Sequence, residues 1–250
     1  MQRIRFSLLL FISLVAFVCG CSGGFNGREW KIAIDESWYP LNLMGRDKQV
    51  IGFTTDLLQE VSALQRIRIV RVQENWNNLL SHLQQKQYEG MLSSMYPYTF
   101  YEKQYDFSKP FLLTGPVLVL PFSSKETSLK AFSGKEIAVV TGSHNSLIVE
   151  KYPGVIIRNY ESIPDAFNDI VAGVIDGAVV DVLPATAYCQ DLFQNQLKVA
   201  SAPMNDQGLR LVTLHDQSPE LIESFNSALE KLRASGKYAE LSRKWGLPPQ

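Results

Sequence analysis

Short apolar runs alternate along this chain with longer stretches whose apolar residues recur at helical spacing. That alternation restricts the fold more than any other feature. Residues 30–34 read as a buried strand. After a turn around Gly45-Arg46-Asp47, residues 51–56 introduce a helix that Thr54 or Thr55 caps, with Asp56 in its first turn and Leu57, Val61 and Leu64 as its buried stripe. A strand follows at 67–72. Trp76, Leu79, Leu80 and Leu83 then share one helical face ahead of an apolar strand at Gly90. Residues 123–133 turn polar, and the pattern restarts with a strand at 135–140, a helix beginning near Ser146 and a strand at 155–157. Ser162-Ile163-Pro164-Asp165 opens a helix with Ala166, Phe167, Ile170 and Val174 inward, and the next strand ends at Asp181. A further strand at 208–214 precedes a helix opened by Ser218-Pro219-Glu220, with Leu221, Phe225, Leu229 and Leu232 as its stripe. Ser235-Gly236 stops it, and Tyr238, Leu241 and Trp245 mark a last short helix. Strands and helices alternating in this way predict an α/β fold with mainly parallel sheet and ligands at the carboxyl ends of strands. The order helix 76–86 into strand 90–92 recurs as helix 164–172 into strand 178–180, so two similar α/β lobes are expected.

The first twenty residues follow a different logic. Arg3 and Arg5 precede an apolar run over residues 6–18, too short to span a bilayer comfortably, and then Cys19-Gly20-Cys21. Val18, Gly20 and Cys21 resemble the lipobox of bacterial lipoproteins. That makes residues 1–20 a lipoprotein signal peptide, Cys21 the acylated (palmitate-bearing) residue and 21–27 a lipidated tether. A plain secretory signal or an N-terminal anchor is the simpler alternative. Cys189 would then be the one remaining thiol, a packed residue and not half of a disulfide. Lys and Arg number 24 against 25 Asp and Glu, which gives no footing for nucleic acid or for a polybasic membrane contact.

Between Gly90 and Pro116 runs a loop dense in Ser and aromatic residues, set between apolar strands. Such a loop either grips something small or packs on its own domain. The histidines His82, His144 and His215 lie apart, with no nucleophile–base or metal-ligand spacing, so neither catalytic residues nor a cofactor or metal is expected.

Trp38-Tyr39-Pro40, Gly52-Phe53-x-x-Asp56-Leu57, Trp76-x-x-Leu79 with Tyr88-Glu89-Gly90, and Asp106-Phe107-Ser108-x-Pro110-Phe111 occur in that order. Thr141-Gly142-Ser143, Asp176-Gly177-Ala178 with Asp181, and Ser235-Gly236-Lys237 with Lys244-Trp245-Gly246 follow. The ordered set resembles the bacterial extracellular solute-binding proteins of family 3, the polar amino-acid-binding components of ABC importers, over about residues 30–246. The resemblance implies a periplasmic-binding-protein-like fold, with two α/β lobes joined by two hinge crossings and the ligand cleft between them. Lobe 1 is expected at 28–116 plus 213–250, lobe 2 at 121–208, and the crossings at 116–121 and 208–214. It also implies a monomer that captures a small polar solute, an amino acid or a derivative, by closure. That monomer would hand the solute to an ABC permease and ATPase and face the periplasm or cell exterior, touching a membrane through its N-terminal lipid only.

Carried over by position, the resemblance makes Trp38 the aromatic that stacks on the ligand and Trp76 part of the lobe-1 wall. Ser94 and Tyr96 hold the ligand ammonium, and Asp181 pairs with it. Physically, Asp181 ends a buried strand, where a desolvated carboxylate calls for a cation, although an Asp there also caps turns. Thr141, Ser143 and His144 lie at a strand-to-helix turn that suits a carboxylate or simply caps the helix. The family's Arg five residues before Asp106, which grips the ligand α-carboxylate, is here Tyr101. Losing that fork costs about 1.5–3 kcal/mol, unless Lys103 or Lys109 substitutes or Tyr101 meets a ligand without a free α-carboxylate. Two alternatives stand beside capture for transport: a dehydratase-like enzyme on the same fold, and a sensory or envelope protein that has lost transport.

Overall fold

The structure, a computed structural model, describes residues 28–248. The signal peptide, Cys21 and the tether lie outside the described residues. Among the described residues no helix is long and apolar enough to cross a membrane.

The chain builds the same unit twice. The first comprises β1 (Glu29–Ile34), α1 (Asp47–Gln65), β2 (Arg68–Gln73), α2 (Trp76–Gln84) and β3 (Gly90–Ser93). Then come β4 (Tyr105–Phe107), β5 (Leu112–Leu113) and β6 (Pro116–Pro121). The second unit comprises β7 (Glu136–Val140), α3 (Ser146–Val149), β8 (Ile156–Tyr160), α4 (Ile163–Val171) and β9 (Gly177–Asp181). The chain closes with α5 (Val182–Asp191), β10 (Leu197–Val199), β11 (Gly208–Leu214), α6 (Pro219–Ala234) and α7 (Lys237–Lys244). In each unit the first strand lies between the other two and runs parallel to both.

Each parallel triplet is extended by strands of opposite direction. The lobe-1 sheet runs β2-β1-β3-β11-β4, with β5 also on β11, and the lobe-2 sheet runs β8-β7-β9-β6-β10. The sheets are therefore mixed and not mainly parallel, because β11 and β6 lie antiparallel to β3 and β9. Neither of these strands follows a crossover helix, the device that sets a strand parallel to its predecessor.

The segments expected as crossings are themselves sheet strands, β6 in lobe 2 and β11 in lobe 1. The chain changes lobe in the short links beside them. There the Thr114 N–H donates to the Gln207 carbonyl and the Met204 N–H to the Pro116 carbonyl, each at 2.8 Å, so the two links lie side by side. Glycine is required at 208 in this approach, and at 115 a side chain would have to displace Asn205. A Cβ on Gly115 would stand 2.0 Å from the Asn205 Oδ1, and one on Gly208 2.5 Å from the Leu112 carbonyl oxygen.

Several local expectations shift. Helix α1 begins at Asp47, ahead of the expected start, with Arg46 at its N-cap. Thr54 and Thr55 therefore lie inside the helix, where Thr55 Oγ1 donates back to the Ile51 carbonyl. Asp56, mid-helix, accepts from Lys244 Nζ at 2.6 Å and Trp245 Nε1 at 2.8 Å, and these donors hold its carboxyl below the usual range. Leu64 and Val174 are exposed, the latter because α4 has already ended. The lobe-1 core gathers Phe53, Phe111, Phe225 and Tyr238, all fully buried. Each such side chain contributes roughly 1.5–3 kcal/mol of burial. Cys189 is buried, and burial pushes its thiol up to about 12, as suits a packed residue.

Candidate ligand-binding cleft

Residues at or just past the carboxyl ends of β3, β7 and β9 line one cleft of about 700 Å³ between the lobes, together with Pro40 and Leu41 from the loop after β1. Helix α2 adds Trp76, Leu79 and Leu80, and the crossing links add Thr114, Asn205, Gln207 and Gly208. The switch from parallel to antiparallel neighbours in both sheets thus sits at the same mouth, where open α/β sheets bind ligands.

Six of the expected site residues meet there: Trp76, Ser94, Tyr96, Tyr101, His144 and Asp181. Trp76 packs edge-on against Tyr39, with ring centroids 5.4 Å apart, beside the cis Tyr39–Pro40 bond. Tyr101 lies in a run of rings, 4.2 Å from Phe100 and 6.3 Å from Tyr105, with Tyr98 next in line. Tyr96 donates its hydroxyl to Asp206 Oδ1 at 2.8 Å, which ties the lobe-1 wall to the second crossing and raises the Tyr96 pKa.

Asp181 occupies the N-cap position of α5, yet its side chain caps nothing. It turns into the cleft instead, where Asn145 Nδ2 donates to its Oδ1 at 3.2 Å. Although water reaches Asp181, the surrounding protein desolvates its carboxyl and raises its pKa above the usual range. The Asn145 bond and nearby His144 only partly oppose this.

The other expected site residues sit elsewhere. Trp38 is 3% exposed and packs edge-on against Phe111, with ring centroids 6.4 Å apart, inside the lobe-1 core. Its backbone is left-handed, φ 53°, and Trp38 is not among the residues that line the cleft. Thr141 is exposed and donates to Glu161 at 3.1 Å, while Ser143 Oγ is buried without a hydrogen-bond partner; neither lines the cleft. Helix α3 has only four residues, and the Thr141 and Ser143 N–H groups already bond the Tyr160 and Val140 carbonyls. Those two N–H groups are therefore engaged within lobe 2. Lys103 and Lys109 are not in the cleft either, and Lys109 pairs with Glu230.

Sequence reasoning passed over Tyr98, Asn145, Leu147, Ile148 and Lys151, all of which line the cleft. A signal was present: His144, Leu147, Ile148 and Lys151 follow the spacing of one helical face, although they straddle a very short helix.

Two lobes of one plan, paired crossings and a cleft set between strand ends define a two-lobed solute-binding protein. Residues 30–248 match the bacterial extracellular solute-binding proteins, family 3, and the chain belongs to that family. The family is one of binding proteins, so the protein is a binder and not an enzyme. The chain is 25% identical over 247 residues to the ABC transporter arginine-binding protein 1 of Escherichia coli (strain K12), covering 95% of this chain and 98% of that protein. It is 23% identical over 218 residues to the L-cystine-binding protein TcyJ of the same strain, covering 86% and 81%. Its fold matches that of the L-cystine solute receptor of Neisseria gonorrhoeae in the unliganded open conformation. The TM-score is 0.69 at 16% identity, over 88% of this chain and 93% of that one.

Proposed function

We propose that this protein captures an amino acid or a close derivative for an ABC importer, as a lipoprotein anchored through Cys21. The solute enters the cleft, its ammonium meets Asp181, Ser94 and Tyr96, and closure of the lobes about the paired links buries it. The observation that carries this reading is Asp181, a desolvated carboxylate at a helix N-cap that caps nothing and faces the cleft. A bound ammonium supplies the cation such a carboxylate lacks. Relatives named for arginine and for L-cystine support the amino-acid class.

A thermal-shift and calorimetric screen of the purified protein against amino acids, oligopeptides and cyclic acids tests it. The expected result is stabilisation by about 2.7 kcal/mol for an amino acid at a hundredfold its Kd. Silence across the panel overturns the proposal and favours the sensory or envelope role that Tyr101 in place of an Arg already suggests. The lipid reading rests on the sequence of residues 3–21. Palmitate incorporation by the full chain, lost in Cys21→Ser, is its expected signature, and equal labelling of both forms removes it.

A further inference from the structure

The charges of the cleft are divided unevenly. Among its described lining residues, lobe 1 contributes no charged side chain, and all the charged or titratable non-tyrosine groups come from lobe 2: His144, Lys151 and Asp181. We infer that the cleft selects a zwitterion with a large aromatic or apolar side group, the group lying on lobe 1 and its anionic end held by Lys151. This inference rests on the amino-acid reading above and narrows it.

Lys151 is placed for the task by backbone geometry. The Leu147 N–H bonds the His144 carbonyl, the Ile148 N–H the Asn145 carbonyl and the Lys151 N–H the Ile148 carbonyl, so helical turning continues through α3 to Lys151. Positions 144, 147, 148 and 151 therefore share the face that lines the cleft. Lys151 is exposed and takes part in no ion pair among the described residues. Its flexible four-carbon stem lets Nζ follow the ligand as the lobes close. The described lining residues include no guanidinium to hold an anion. Tyr101 replaces the guanidinium fork, and Arg210, behind the wall, is committed to the Ser108 carbonyl and to Asp206.

The side group follows from the lobe-1 wall. Trp76, Tyr98 and Tyr101 present rings, and Leu80, with the almost fully buried Leu79 and Met91, completes an apolar lining. Rings alone also attract a cation, by about 0.5–2 kcal/mol. A guanidinium or ammonium desolvated there needs a carboxylate as well. Asp181 is already assigned to the ligand's ammonium, and Asp206 is taken by Arg210 and Tyr96. Asp35, Glu36 and Glu74 line a separate groove. An aromatic or apolar group has no such requirement and gains by burial.

Calorimetry of the full chain with L-tryptophan, L-phenylalanine, L-leucine, L-arginine and L-tryptophanamide, in wild type, Lys151→Gln and Lys151→Arg, tests the assignment. An aromatic amino acid is expected to bind at least tenfold more tightly than arginine. Lys151→Gln should weaken that aromatic ligand about tenfold, Lys151→Arg should restore most of the loss, and tryptophanamide, which lacks the carboxylate, should not notice Lys151→Gln. Arginine binding as tightly as the aromatics, or an unchanged Kd in Lys151→Gln, overturns this inference while leaving amino-acid capture intact. Absence of binding by every amino acid overturns both.

Discussion

Asp181→Asn is expected to weaken binding of any ammonium-bearing ligand tenfold or more while leaving the unliganded protein as stable as wild type or more so. The two effects have one cause. In the cleft the protein around the Asp181 carboxylate partly desolvates it, and Asn145 donates to it without a cation beside it, which raises its pKa and makes its charge a burden on the folded state. A group whose folded-state pKa is raised by burial destabilises fully above that pKa, and the penalty fades as pH falls toward the unfolded value. Asparagine removes the charge and with it the penalty. A ligand ammonium turns the same charge into an asset, a charge-assisted bond worth about 1.5–3 kcal/mol that asparagine cannot replace. Affinity should therefore fall, on acidification, at a pH above that at which an ordinary aspartate titrates. Kd by calorimetry and Tm without ligand, both followed against pH for the two proteins, check this. Unchanged affinity in Asp181→Asn removes Asp181 from the site, and a lowered Tm without ligand assigns it a structural duty instead.

Phe111→Ala should be among the most damaging single changes to stability, about 3–5 kcal/mol by denaturant unfolding. Phe111 is fully buried, edge-on to both Trp38 and Phe225 at 6.4 and 6.0 Å between ring centroids. Its carbonyl accepts the Tyr238 hydroxyl at 2.8 Å, so it joins the first half of lobe 1 to the helices that return at the end of the chain. Phe100→Ala is the control. That ring is 58% exposed, and its loss should change stability by no more than about 0.5 kcal/mol. Equal effects at the two positions would mean that the core does not run through Phe111.

The repeated unit was legible because it rests on periodicity. Leu79 and Leu83 of α2, and Ala166, Phe167 and Ile170 of α4, bury the faces their spacing selects, and each helix delivers the chain to a buried strand. Asp181 was legible for a related reason, as a charge at the end of such a strand. What escaped depends on information that residue order carries weakly. The indole of Trp38 goes to the core against Phe111, and the letters Trp-Tyr-Pro do not say which way a ring in that loop turns. The antiparallel course of β6 and β11 depends on which lobe the chain is entering, and an apolar hexamer or heptamer reads the same in either direction. Lys151 escaped because its face is built partly from turns around a four-residue helix, too little regular structure for a periodic pattern to register.

The central place of β11 sets an order of assembly. Lobe 2 is a continuous stretch whose five strands all precede β11 along the chain, so its sheet can close before β11 docks. Lobe 1 at that stage holds β3 with a free edge and β4 and β5 with no sheet to join, since β11 is the partner of all three. The inserted lobe can close its sheet first, while lobe 1 waits for β11. The docking of β11, not the appearance of any one helix, is therefore the event that completes lobe 1 and with it the cleft. A fragment ending short of Gly208 would display an unpaired lobe-1 strand, a standing invitation to aggregation.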